Sequence, residues 1–214
     1  MTGRERLVVA AVGGDLDRTP VLSFIPMGGT DGIIVPACDY PRARAEANGS
    51  AVLVQVGNPY AQARTTFPNL ADLLANDPVT GADALDHLRL EVLAEAQAAL
   101  ELGADGVAYI LDGAYPGATT PMEYGGHYLE VDRAILTALA EAPLNLVFVR
   151  GDNDPYLDFV ADLPAAFLGW DAGHVSPDLD FIRRMRAGAL ALDDPRAEVR
   201  LVGVPATATP GVHA

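Results

Sequence analysis

Asp112, Arg150, Asp152, Asp171 and His174 each stand within a few residues of the end of an apolar run, the runs being 107–111, 144–149 and 166–170. Carboxylates and imidazoles exchange protons in water. A guanidinium donates two parallel hydrogen bonds to a carboxylate. The chemistry on offer is therefore proton transfer on a bound organic anion, with Asp112 or His174 handling the proton and Arg150 holding the charge. Asn58 after the run 51–56, together with Tyr115, Asp152 and Asp171, completes a set of candidate substrate contacts. Tyr124 and His127 flank Gly125-Gly126, and this pattern predicts a lid over the pocket mouth. Structural alternatives stand beside each reading. Asp112 and Asp152 precede helical segments and suit capping; Arg150 suits a bridge to Asp152 or Asp171; His174 suits an ordinary loop.

Composition removes other chemistries. All 14 basic residues are arginine, which excludes lysine Schiff bases and the lysine of a phosphate-binding P-loop. The single cysteine, Cys38, excludes an internal disulfide and any multi-cysteine metal cluster. No serine nucleophile elbow, dinucleotide fingerprint or His-Glu-x-x-His pair occurs, so neither a metal nor a cofactor is expected. The net charge of −15 opposes nucleic acid and anionic membranes, and a carboxylate ligand would need local arginine. No apolar run approaches the ~20 residues of a membrane helix. With no secretory signal in the first residues, the cytoplasm is the expected location.

Positioning such residues requires repeated strand–helix units, and the sequence supplies them. Thr2 and Glu5 have capping-box spacing ahead of a short helix that Gly13-Gly14 stop. Strands are expected at 21–25, 33–35, 51–56, 107–111, 144–149, 166–170 and 199–204, some six or seven in all. Leu85, Leu88, Val92, Ala96 and Ala99 make one apolar stripe on a helix spanning 82–102. Thr120-Pro121, Asp154-Pro155 and Ser176-Pro177 start further helices, with Gly125-Gly126 interrupting the first. Residues 58–78 read as a long polar connection, and 205–214 as a frayed tail. The alternation gives one α/β domain over 1–214 with a parallel sheet, open and doubly wound or closed as a barrel. Pattern alone does not choose between them.

Several segments in order resemble the uroporphyrinogen decarboxylase family, including its corrinoid-methyltransferase branch. Gly14-Asp15-Leu16-Asp17-Arg18-Thr19-Pro20-Val21 is similar to the family's Asp-Arg-x-Pro-Val turn and first strand. Gly103-Ala104-Asp105-Gly106-Val107, running to Leu111-Asp112-Gly113, resembles its mid-barrel strand and acidic strand end. Val147-Phe148-Val149-Arg150-Gly151-Asp152 and Phe167-Leu168-Gly169-Trp170-Asp171 resemble the next two strand ends. The resemblance implies a TIM-like (β/α) barrel, shortened or incomplete for a chain of this length. In the methyltransferase branch, zinc-binding histidine and cysteine occupy the segment that here holds Phe148 and Arg150. The arginines that grip substrate carboxylates in the decarboxylases are absent from Ile25-Pro26-Met27-Gly28-Gly29-Thr30-Asp31. The resemblance thus implies a divergent, cofactor-independent, lyase-like enzyme acting on a small carboxylate through Asp112 and Arg150. Competing readings are a non-catalytic binding protein and a corrinoid methyl-transfer component. An incomplete barrel would expose strand edges and favour a homodimer.

Overall fold

A computed structural model of the chain describes residues 1–25, 27–151, 154–172 and 177–204. Eight strands form a closed parallel barrel: β1 (Val21–Ser23), β2 (Gly32–Pro36), β3 (Ala51–Gly57), β4 (Gly106–Leu111), β5 (Leu146–Val149), β6 (Phe167–Trp170), β7 (Ala189–Leu192) and β8 (Val199–Val202). Each pairs with the next, and Leu22 opposite Leu201 closes the seam between β1 and β8. The barrel is thus complete in strands, which corrects the expectation of an incomplete one. The strand that sequence reading missed is β7, whose Ala-Leu-Ala-Leu carries no β-branched residue and fits a helix equally well. A closed barrel has no open edge, so the strand-edge argument for self-association falls.

The shortening lies in the helical layer. No helix is described between β1 and β2 (residues 24–31) or between β7 and β8 (residues 193–198). Consequently Arg200 is exposed on the outer face of β8, and Val21 and Val202 are half-covered. α1 (Gly3–Ala11) packs against the strand-start end, and elsewhere the layer comprises α2 (Tyr40–Glu46), α3 (Pro59–Thr66), α4 (Leu70–Asn76), α5 (Pro78–Glu101), α6 (Pro121–Glu123), α7 (Leu129–Ala138), α8 (Leu157–Val160) and α9 (Leu179–Met185). Residues 58–78 therefore hold two helices, not a polar connection: Asn58 caps α3 with Pro59 in its first turn. Few apolar residues on short segments make no readable stripe. Gly125-Gly126 do not interrupt either, because a π-helical turn, Tyr124–Tyr128, joins α6 to α7. The expected capping boxes at Thr2 and Thr120 are both formed.

Two apolar layers arise from strand alternation. Leu22, Ile34, Leu53, Ile110, Phe148, Phe167 and Leu201 fill the barrel, and Leu7 and Ala10 of α1 join them. Val54, Val56, Tyr109, Leu111, Val149 and Trp170 face outward beneath the helices. Gly169 leaves room inside, since a Cβ there would stand 3.1 Å from Leu201 and 3.4 Å from Phe148. Phe24 covers Phe148 edge-on, with ring centroids 5.2 Å apart.

The strand-start face is pinned by one device used repeatedly. The residue just before a strand accepts an N–H from the beginning of the preceding strand. Asp31 takes Val21 N–H at 2.8 Å, Asp105 takes Val52 at 2.9 Å, Asn145 takes Val107 at 2.9 Å and Glu198 takes Leu190 at 2.9 Å. The three carboxylates are neutralised by arginine: Arg6 and Arg18 on Asp31, Arg4 and Arg44 on Asp105, Arg183 on Glu198. Many of the chain's cations are thereby committed to structure, far from the strand ends where chemistry is expected.

Candidate functional site

Asp112 and Arg150 leave adjacent strands at one level. Leu111 pairs with Val149 in register, and the Arg150 amide donates to the Leu111 carbonyl at 2.9 Å. Alternation then continues the inward set, Ile110 to Asp112 on β4 and Phe148 to Arg150 on β5. Asp171 occupies the same position after β6, because Val149 pairs with Trp170. The register thus brings these three positions to one level at the barrel's C-terminal rim. His174 and Asp152 lie outside the described residues.

Asp112 is buried, and its carboxylate is met by a group that the sequence reading missed. Arg64, half-exposed on α3, places Nη1 3.3 Å from Oδ2, while Oδ1 accepts the Gly113 N–H at 2.8 Å. Arg64 lies beyond the strand-end residues, on a helix in a stretch that reads as loop; the capping signal at Asn58-Pro59 is the clue to it. Tyr115 is half-buried beside the same carboxylate. Burial first, and then the Asp112 charge, push its hydroxyl up to about 12, so it remains a proton donor at neutral pH.

Glycines after the two charged residues let aromatic rings close on the backbone. Gly113 has φ +94°, and a Cβ there would lie 2.7 Å from the Tyr60 ring. Gly151 has φ +124°, with Tyr115 within 2.9 Å of the same imagined atom. Either substitution would meet both a left-handed backbone and a ring. The loop after β4 is fastened further: Tyr156 donates to the Thr119 carbonyl at 2.6 Å, Thr119 to the Gly113 carbonyl at 2.6 Å, and Tyr60 to the Ala118 carbonyl at 3.2 Å.

Three expected contacts are placed elsewhere. Asn58 comes after Gly57, which pairs with inward-facing Ile110, so its side chain turns outward and is fully buried beneath the helices. Tyr124 is no lid: the π turn directs it against the barrel wall, where its hydroxyl donates to Asp132 at 2.7 Å. His127 is exposed on the outer helical layer, beside Asp86, Arg89 and Glu130. A π turn offsets successive side chains from the α-helical stripe, and sequence period alone does not reveal it.

Asp132 on α7 accepts from the Tyr109 hydroxyl at 2.6 Å as well as from Tyr124, and both its oxygens lie 3.4 Å from Asn58 Nδ2. Burial pushes it up to about 6, against the lowering effect of these hydrogen bonds. Among the described residues, no cluster of histidine, cysteine and carboxylate side chains is placed to hold a metal ion. No described helix is long and apolar enough to cross a membrane.

No model of a known protein family matches the chain. No curated protein matches it either. Among solved structures it is similar to a methyltransferase from Methanosarcina mazei, at 14% identity and a TM-score of 0.71, over 99% of this chain and 86% of that one. Identity that low shows a shared TIM-barrel fold and no more.

Proposed function

We propose that the chain is an enzyme that binds a small organic carboxylate at the barrel rim and moves a proton on it. The observation that supports this reading is that Asp112 and Arg150 leave adjoining strand ends while Arg64 reaches Asp112 from α3, in a protein whose other arginines largely serve ion pairs at the opposite face and on outer helices. Arg150 and Arg64 supply the fork geometry that a carboxylate accepts. The Arg64–Asp112 contact of 3.3 Å is at the long end for a charge-assisted hydrogen bond, so Arg64 can turn to a ligand at small cost. Once it does, the Asp112 carboxylate is left facing the bound ligand, held by the Gly113 N–H. Proton delivery is also the step that ends a decarboxylation: the electron pair of the broken C–CO2 bond stays on carbon, and a proton from a donor such as Tyr115 takes the position that CO2 leaves. This agrees with the resemblance to the decarboxylase family at Asp112.

The test is calorimetric titration with lactate, malonate and succinate on the wild type, Arg150→Ala and Asp112→Asn. Arg150→Ala is expected to weaken binding by at least tenfold, about 1.4 kcal/mol. Asp112→Asn should bind the anion and lose exchange of deuterium from solvent into the carbon next to its carboxylate. Equal affinities in wild type and Arg150→Ala would remove the reading. A methyl-transfer reading is favoured by the shared fold with a methyltransferase. Titrated cobalamin would then give a saturable change in visible absorbance, insensitive to these carboxylates.

A further inference from the structure

One amide joins parts of the rim that belong to different elements. Asn58 Oδ1 accepts the Ala61 N–H at 3.1 Å, capping α3, and the Asp112 N–H at 3.2 Å. Its Nδ2 donates to the Asp112 carbonyl at 3.0 Å. Because α3 carries Arg64, this side chain fixes both halves of the Arg64–Asp112 pair. Asn58 is held in turn by Asp132, which is buried in the helical layer and reaches no part of the mouth. The other buried residues of α7 are Ile135 and Leu136, so packing of this helix does not itself call for a carboxylate.

We infer that Asp132 is a positioning residue for the rim: acting through Asn58, its charge sets where Asp112 and Arg64 stand and thereby governs anion binding at the mouth. The inference rests on the proposed anion site. As a carboxylate, Asp132 only accepts, and three donors converge on it: Tyr109 from β4, Tyr124 from the π turn and Asn58 from the end of β3. Once protonated it is itself a donor, and one of the three loses an acceptor. Tyrosine hydroxyls rotate freely. They can re-aim and keep their bonds, whereas the 3.4 Å contacts of Asn58 Nδ2 are the longest that Asp132 makes and are the ones that give way. Of the other groups nearby, Tyr128 belongs to the π turn, Arg133 is paired with Glu130 and Asp162, and every buried residue of α5 is apolar or glycine. Burial brings the change to about 6.

The experiment tracks the Asp112 backbone amide and the Asn58 side-chain amide by nitrogen-15 NMR through a pH titration. In the wild type both signals are expected to move with one midpoint near that of Asp132, and to be flat in Asp132→Asn. Tyr124→Phe, which removes one donor to the charge, should shift the midpoint upward and keeps the test decisive if Asp132→Asn does not fold. A parallel arm measures lactate affinity at about pH 5 and about pH 7.5, with a change of about fivefold or more expected in the wild type and none in Asp132→Asn. Amide signals that stay still while the Asp132 carboxyl carbon titrates would overturn the inference. So would a titration surviving unchanged in both variants. If lactate fails to bind at any pH, the anion site falls, while the amide signals still decide whether Asp132 positions Asn58 and Asp112.

Discussion

Keeping Asp132 ionised costs the fold stability, and the direction of that cost can be read in solution. Its folded value is about 6 against 3.8 for a free carboxyl, so within that window the native chain holds a proton that the unfolded chain has released. Stability from this group therefore falls as pH rises through the window and is lowest above it, by about 3 kcal/mol. Subtracting the urea unfolding free energy of Asp132→Asn from that of the wild type at each pH isolates the effect. The difference should move against the wild type between about pH 4 and pH 7 and then level off. A flat difference would mean that Asp132 titrates alike in both states. Residues of this sort are hard to see in a sequence. Asp112 and Arg150 are legible because each stands directly after an apolar run, whereas Asp132 occupies a position on an amphipathic helix where a carboxylate reads as surface. Tyr109, inside its strand, reads as core.

At the scale of elements, the residues just past each strand shape the rim. Asp112-Gly113 and Arg150-Gly151 are the same construction on neighbouring strands: a charged side chain turned inward, then a left-handed glycine on which a tyrosine rests. Gly113→Ala should cost about 1–3 kcal/mol in chemical denaturation, from backbone strain and the displaced Tyr60 ring. Because Tyr60 and Arg64 share α3, the same variant should weaken carboxylate binding; undiminished affinity would show that α3 tolerates the shift. The glycines are visible in the sequence, but their partners are not, since Tyr60 lies in a stretch that reads as loop. Capping chemistry transfers well, as the boxes at Thr2 and Thr120 show. Periodicity fails where segments are short, at α3, α4 and β7, because a few residues cannot display a repeat.

For the whole molecule, the two ends of the barrel carry separate duties. Asp105 holds Arg4, Arg44 and the Val52 N–H at the strand-start face. Asp105→Ala strands a buried amide and removes both ion pairs, at a cost on the order of 3 kcal/mol in urea titration. Lactate affinity of the folded variant should match the wild type, and a parallel loss would show that the ends are mechanically coupled. The closed barrel is only partly legible, because alternation announces parallel strands without saying whether the first meets the last. Its economy in helices is invisible too, since a glycine-rich loop such as the one around Gly28-Gly29 is compatible with either architecture. That seam also sets a timetable for the growing chain. β1 leaves the ribosome with both flanks unsatisfied; β2 relieves one soon after, but the other waits for β8, until the six strands between have been made. Until then the nascent barrel is an open sheet with sticky margins, sealed only when β8 arrives.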